Sequence, residues 1–113
     1  MTPENTEKML AAYPHLYRNL RNNSFECNDG WFDLIWQISA EIETAAAFEG
    51  TSKTSSSWPS VGILKQKFGT LRIQFYRKSN TRVSDAVDAI ATKAYEQSKV
   101  ICELCGGLFM DDR

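Results

Sequence analysis

Residues 61–77 read Val-Gly-Ile-Leu-Lys-Gln-Lys-Phe-Gly-Thr-Leu-Arg-Ile-Gln-Phe-Tyr-Arg, two strand-like runs that meet at Phe68-Gly69-Thr70. In the second run Leu71, Ile73 and Phe75 alternate with Arg72, Gln74 and Tyr76, the period-two pattern of a strand buried on one side. The pair predicts a β-hairpin of Val61 to Lys67 and Leu71 to Arg77. A loop of two residues (Phe68-Gly69) or of four (Lys67 to Thr70) gives the same register, with Leu64 opposite Ile73 and Gln66 opposite Leu71. One face is then mainly apolar. The other carries Lys65 opposite Arg72, with Val61, Ile63, Lys67, Gln74 and Tyr76 around them. Like charges facing each other across a ladder cost stability unless something outside the hairpin compensates, which makes this face the first candidate for a binding surface.

A two-stranded hairpin is marginal alone, so helices must cover its apolar face. The flanking sequence supplies them. Residues 3 to 12 predict a short helix stopped by Pro14. Over 31 to 48, Trp31, Leu34, Ile35, Ile38, Ile42 and Ala45 fall on one helical stripe, with Asp29 upstream as the expected N-cap. Gly50 ends that helix. Residues 51 to 60 (TSKTSSSWPS) are expected to be a flexible Ser/Thr loop. A last helix is predicted from about Ser84, its expected cap, to Val100, with Val83, Val87, Ile90 and Ala94 on one stripe. The fold class is therefore α+β, in the order helix, helix, strand, strand, helix, followed by a tail from 101 to 113.

At 113 residues the chain fits a single domain with one core. Apolar residues at 42% and charged residues at 24% exclude a disordered chain. No apolar window approaches a membrane span and no basic-then-apolar leader opens the chain, so a cytoplasmic protein with no membrane partner is expected. Net charge is -1, yet the charges are sorted. From Asn22 to Ser52 the only charged residues are the acids Glu26, Asp29, Asp33, Glu41, Glu43 and Glu49. From Thr51 to Ser84 they are the bases Lys53, Lys65, Lys67, Arg72, Arg77, Lys78 and Arg82. Either the two elements neutralise each other inside the fold or one of them faces a partner.

Cysteines Cys27, Cys102 and Cys105 are an odd number without a secretory leader, which argues against a disulfide framework. Cys102-Glu103-Leu104-Cys105-Gly106 is a zinc-knuckle sequence: two thiolates two residues apart can grip one tetrahedral ion while Gly106 turns the chain. Zinc is the cofactor such a pair would take. Further ligands would come from Cys27, His15, Asp111 or Asp112, or from the same pair of a second chain, making a dimer. The alternative is that the two cysteines pack at a helix end.

No convincing catalytic set emerges, and the chain is expected not to be an enzyme. Cys27 lacks a base other than His15, the only histidine. Glu41 and Glu43, two apart on a helix, point in different directions. Gly106-Gly107 precedes no helix that could cradle a phosphate. Trp31 fits the core stripe, whereas Trp36 lies off it and Trp58 sits in the polar loop, where either could anchor a partner.

Gly30-Trp31-Phe32 with Ile35, then Lys65-Gln66-Lys67-Phe68-Gly69-Thr70-Leu71-Arg72 with Phe75-Tyr76, then Cys102 to Gly106 together resemble a family of small uncharacterised proteins of phages and prophages. The resemblance spans residues 26 to 106, and its most specific part is the Lys-x-Lys-Phe-Gly-x-Leu-Arg hairpin. Longer relatives continue into a second Cys/His pair that would complete a zinc ribbon, whereas this sequence ends at Arg113. The resemblance carries no known activity, but it implies a setting, the bacterial host cytoplasm. Small phage proteins there often block or redirect a host protein or ribonucleoprotein complex, CRISPR defence complexes included. The expectation is a non-enzymatic inhibitor or modulator that docks through Lys65, Lys67, Arg72, Tyr76, Arg77, Lys78 and Trp58, or through the acidic helix. The rival is a small nucleic-acid-binding module, with the bases on phosphates and Tyr76 stacking on a base.

Overall fold

Proline can open a helix but not continue one, and Pro3 does so here. In the computed structural model, which describes residues 1–77 and 81–108, with Arg77 and Thr81 described by backbone alone, Pro3–Ala12 is helix α1. Thr2 caps it by accepting the Asn5 amide at 3.3 Å. The chain then turns through the buried side chains of Tyr13, Leu16, Tyr17 and Leu20.

Helix α2, Phe32–Phe48, is entered through a single 3-10 turn, Asp29–Trp31. The turn puts the helix boundary at Trp31, so Asp29 is not the cap that the sequence suggested. Its carboxylate instead accepts the Thr2 amide at 2.8 Å, which ties the start of α1 to the entry of α2. The apolar stripe is buried as expected through Trp31, Leu34, Ile35, Ile38 and Ile42, then continues at Ala46. Ser39 lies within that stripe and is fully satisfied: its hydroxyl donates to the Ile35 carbonyl at 2.6 Å and meets the Tyr17 hydroxyl at 2.5 Å. Gly50, at φ 79°, closes the helix where a side chain would be strained.

Strands β1, Ser60–Lys67, and β2, Thr70–Arg77, form the antiparallel ribbon. Phe68 and Gly69 make the turn at φ 55° and 75°, the left-handed pair that matches strand twist in a two-residue hairpin. The anticipated pairs Leu64–Ile73, Lys65–Arg72 and Gln66–Leu71 are all present. Beyond them the ladder bulges. Val61 pairs with Phe75 and Ile63 with Gln74, so Gly62 is an extra residue on β1. One added residue reverses the face parity, and Val61, expected on the outer face, is buried in the core.

The outer edge of β1 is covered by the chain that precedes α2. Glu26 runs parallel to Lys65, donating its amide to Leu64 and accepting from the Gln66 amide, both at 2.9 Å. Helix α3, Thr81–Ser98, packs on α2 and on β2. It starts three residues before Ser84, which is buried within it and not a cap. Val83, Val87 and Ala94 form its buried stripe. At its end the Ser98 hydroxyl donates to the Tyr95 carbonyl at 2.6 Å and accepts the Leu71 amide at 2.9 Å, closing one position of the β2 edge. The result, among the described residues, is an α+β fold of three α-helices and one two-stranded sheet. Among the described residues no helix is long and apolar enough to cross a membrane.

Candidate functional site

The ribbon brings Lys65, Lys67 and Arg72 together on its outer face, because the alternation that buries Leu64 and Leu71 turns their neighbours outward. The Arg72 guanidinium lies 5.1 Å from the ring centre of Tyr95 on α3, and its Nε donates to Thr70 Oγ1 at 3.0 Å. The Lys67 ammonium sits 5.7 Å from the ring of Phe68. Among the described residues none of these three cations has an ion-pair partner. Glu26, the carboxylate whose backbone neighbours Lys65, is held by Arg21 at 2.7 Å.

Among the described residues, three acids of α2 and its C-terminal end, but not Asp33, have basic partners away from the ribbon. Glu41 pairs with Lys93 at 3.0 Å, Glu43 with Lys53 at 3.7 Å and Glu49 with Arg82 at 3.9 Å. Internal neutralisation is therefore real for Lys53 and Arg82, and it bypasses the ribbon. Glu41 and Glu43 of the acidic helix thus have counter-ions within the chain, whereas among the described residues Lys65, Lys67 and Arg72 of the ribbon face have none.

Two residues change standing. Trp58, expected to anchor a partner from a mobile loop, is only 2% exposed and belongs to the core beside Val61. Its carbonyl accepts the Arg18 guanidinium at 2.7 Å, which pins the end of the Ser/Thr segment. The ring joins the same buried cluster as Leu16 and Tyr17 of the turn after α1, a tertiary effect that local composition does not carry. Phe68, in contrast, is 86% exposed at the ribbon tip. A non-glycine residue at positive φ costs about 1 kcal/mol, and Asn or Gly is the usual choice at that turn position. A phenyl ring placed there is strained, gains little burial, and stands next to Lys67.

Tyr76 is exposed on the same face. It borders a shallow concavity of about 400 Å³ with Asn19, Arg21, Gly62, Ile63 and Gln74. From Phe68 to Tyr76 the face runs roughly 25 Å at strand rise. Lys78 and the side chain of Arg77 lie outside the described residues, as do Asp111 and Asp112.

The thiols divide into a pair and a single. Ile101 and Leu108 form an antiparallel bridge, the Cys102 amide donates to Gly107 at 2.7 Å and the Gly106 amide to Cys102 at 2.8 Å. Gly106 takes φ 78°, and the chain closes into a tight knuckle. Hydrogen bonds from the Cys105, Leu104 and Gly106 amides and from the Cys105 thiol hold the Cys102 thiol below its ordinary pKa. The knuckle docks on the entry of α2: the Gly30 amide donates to Glu103 at 2.7 Å, and Trp31 Nε1 to Ile101 at 2.9 Å. A Cβ on Gly30 would lie 2.3 Å from the carbonyl oxygens of Cys102 and Glu103, so only glycine admits this approach.

Cys27 is buried, and desolvation pushes its thiol up to about 12. That is the reverse of what a nucleophile or a metal ligand needs. Among the described residues no three His, Cys, Asp or Glu side chains converge as a metal site, so Cys27 and His15 do not complete the Cys102–Cys105 pair.

Comparison with protein-family models, with curated proteins and with solved structures finds no match to this chain.

Proposed function

We propose that this chain is a non-catalytic docking protein that binds an acidic surface of another protein through the outer face of its ribbon. The observation that carries the reading is the cross-strand pair Lys65 and Arg72, flanked by Lys67, with no carboxylate paired to any of them among the described residues, while Glu41, Glu43 and Glu49 pair with Lys93, Lys53 and Arg82. Two like charges facing each other lower stability, and a partner's carboxylates would offset that cost. Complementary charge speeds encounter and fixes orientation. Phe68 supplies the apolar anchor that a charged rim alone lacks, since interface energy concentrates in a few aromatic or arginine side chains. Taken with the resemblance to phage and prophage proteins, the partner is a host protein or ribonucleoprotein complex, and docking modulates or inhibits it.

The test is affinity capture from nuclease-treated bacterial lysate, comparing the chain with its Lys65→Glu/Arg72→Glu and Phe68→Asn variants. A protein retained by the parent and lost from both variants supports the reading. Equal capture by all three overturns it. A labelled single-stranded or duplex DNA 20-mer decides the rival: binding that falls log-linearly with salt and is lost on charge reversal would make the face a phosphate-binding one.

A further inference from the structure

We propose that Cys102 and Cys105 form one half of a tetrathiolate zinc site whose other half is the same pair of a second copy of this chain. One zinc ion then joins two chains.

The first ground is the donor set. Two sulfurs are held together by a knuckle already closed by the Ile101–Leu108 bridge and by the Cys102 and Gly106 backbone bonds. Zinc in structural sites is tetrahedral and takes four such donors at roughly 2.3 Å. Amides that hydrogen-bond the Cys102 sulfur are the groups that offset the negative charge of a thiolate-rich centre.

The second ground is that the neighbouring ligands are committed elsewhere. The Glu103 carboxylate, between the two cysteines, accepts the Asn28 amide at 2.9 Å and its side-chain nitrogen at 3.1 Å. Asp29 holds the Thr2 amide. Cys27 is buried. Among the described residues the pair therefore remains two donors short of a closed site.

The third ground is exposure. Cys105 is exposed, and Leu104 and Leu108 beside it are 76% and 77% exposed. A second knuckle brought up by a two-fold axis supplies both missing sulfurs and covers these leucines, with the same residues used on each side. Binding involves no redox step: protons still on the four thiols pass to solvent as the four Zn–S bonds form.

The experiment uses the full chain, made metal-free and kept reduced with a phosphine, and titrated with zinc ion. Native mass spectrometry is expected to show two chains with one zinc, saturating at half an equivalent per chain, and size exclusion to show a dimer that EDTA returns to monomer. Cobalt(II) in place of zinc should give the intense visible bands of tetrahedral sulfur ligation. Cys105→Ser should abolish both zinc uptake and dimer, while Asp111→Asn/Asp112→Asn should leave them unchanged. One zinc per single chain, uptake lost in the Asp variant, no zinc uptake, a dimer that Cys105→Ser retains, or a dimer that survives EDTA and yields only to more reductant would each overturn the proposal.

Discussion

Gly30→Ala isolates the fit between the knuckle and the entry of α2. Gly30 has no positive φ, so alanine is compatible with its backbone, and replacing glycine in helical structure ordinarily gains about 0.5–1 kcal/mol. Here the added Cβ would stand 2.3 Å from two carbonyl oxygens and 2.4 Å from the Glu103 carbonyl carbon, all backbone atoms that cannot rotate away. The knuckle must lift by about 1 Å to restore ordinary contact. That shift breaks or stretches three links: Gly30 amide to Glu103, Asn28 to the Glu103 carboxylate, and Trp31 Nε1 to Ile101. At about 1 kcal/mol each the ceiling is about 3 kcal/mol, and water recovers part of the exposed Asn28 link. The expected loss is about 1.5–3 kcal/mol, read as a fall of roughly 1–2 M in the urea midpoint with unchanged slope. Trp31 fluorescence should shift in the folded state as its indole N–H loses the Ile101 carbonyl. A gain in stability, or a loss under about 0.5 kcal/mol, would refute the docking geometry.

Phe68→Asn should raise stability by about 0.5–1 kcal/mol in urea denaturation, because Asn tolerates the left-handed turn and the phenyl ring buries little; a loss would count against the strain assigned to that position. Trp58 Nε1 is buried without a hydrogen-bond partner, so Trp58→Phe should cost under about 1.5 kcal/mol while Trp58→Ala costs about 3–5 kcal/mol, and equal losses would contradict it. Cys27 gives a pH signature. The unfolded thiol ionises near 9.0 while the folded one holds its proton to about 12, so its contribution is complete below pH 9 and is lost as pH rises, by about 1.4 kcal/mol per unit. Denaturation between pH 9 and 11 should show that slope in the parent and a shallower one in Cys27→Ala; parallel slopes would argue that the thiol is not buried as described. Tyr17, also raised by burial, adds to the decline above pH 10.

The ribbon register was readable because a two-residue and a four-residue turn give the same pairing, and alternation in β2 then assigns each side chain to a face. The bulge at Gly62 was not readable, since a glycine leaves no mark on the apolar period, and with it went the placement of Val61. Trp58 escapes a local reading for a different reason: eight of its nine neighbours in TSKTSSSWPS are Ser, Thr or Lys, and the core cluster it joins includes Leu16 and Tyr17, some forty positions away. Asp29 and Ser84 are of the right residue type for caps, but the helices begin two residues later and four earlier than caps at those positions imply. Of the residues proposed for binding, the basic cluster is legible from charge sorting. Phe68 was not singled out, although a phenyl directly before Gly69 at a hairpin tip was the available signal.

Residues 26–31 link the turn after α1 to α2, yet three distant parts of the chain fasten to them: β1 at Glu26, the amino end at Asp29, and the knuckle at Asn28, Gly30 and the Trp31 indole. Connectors of this kind ordinarily accept insertions without harm. A single residue spliced in after Cys27 would throw these attachments out of step with one another, whereas the same addition among Ser55, Ser56 and Ser57 disturbs only a surface turn. A short connector outside the main helices and strands is thus a place where chain length is strictly set.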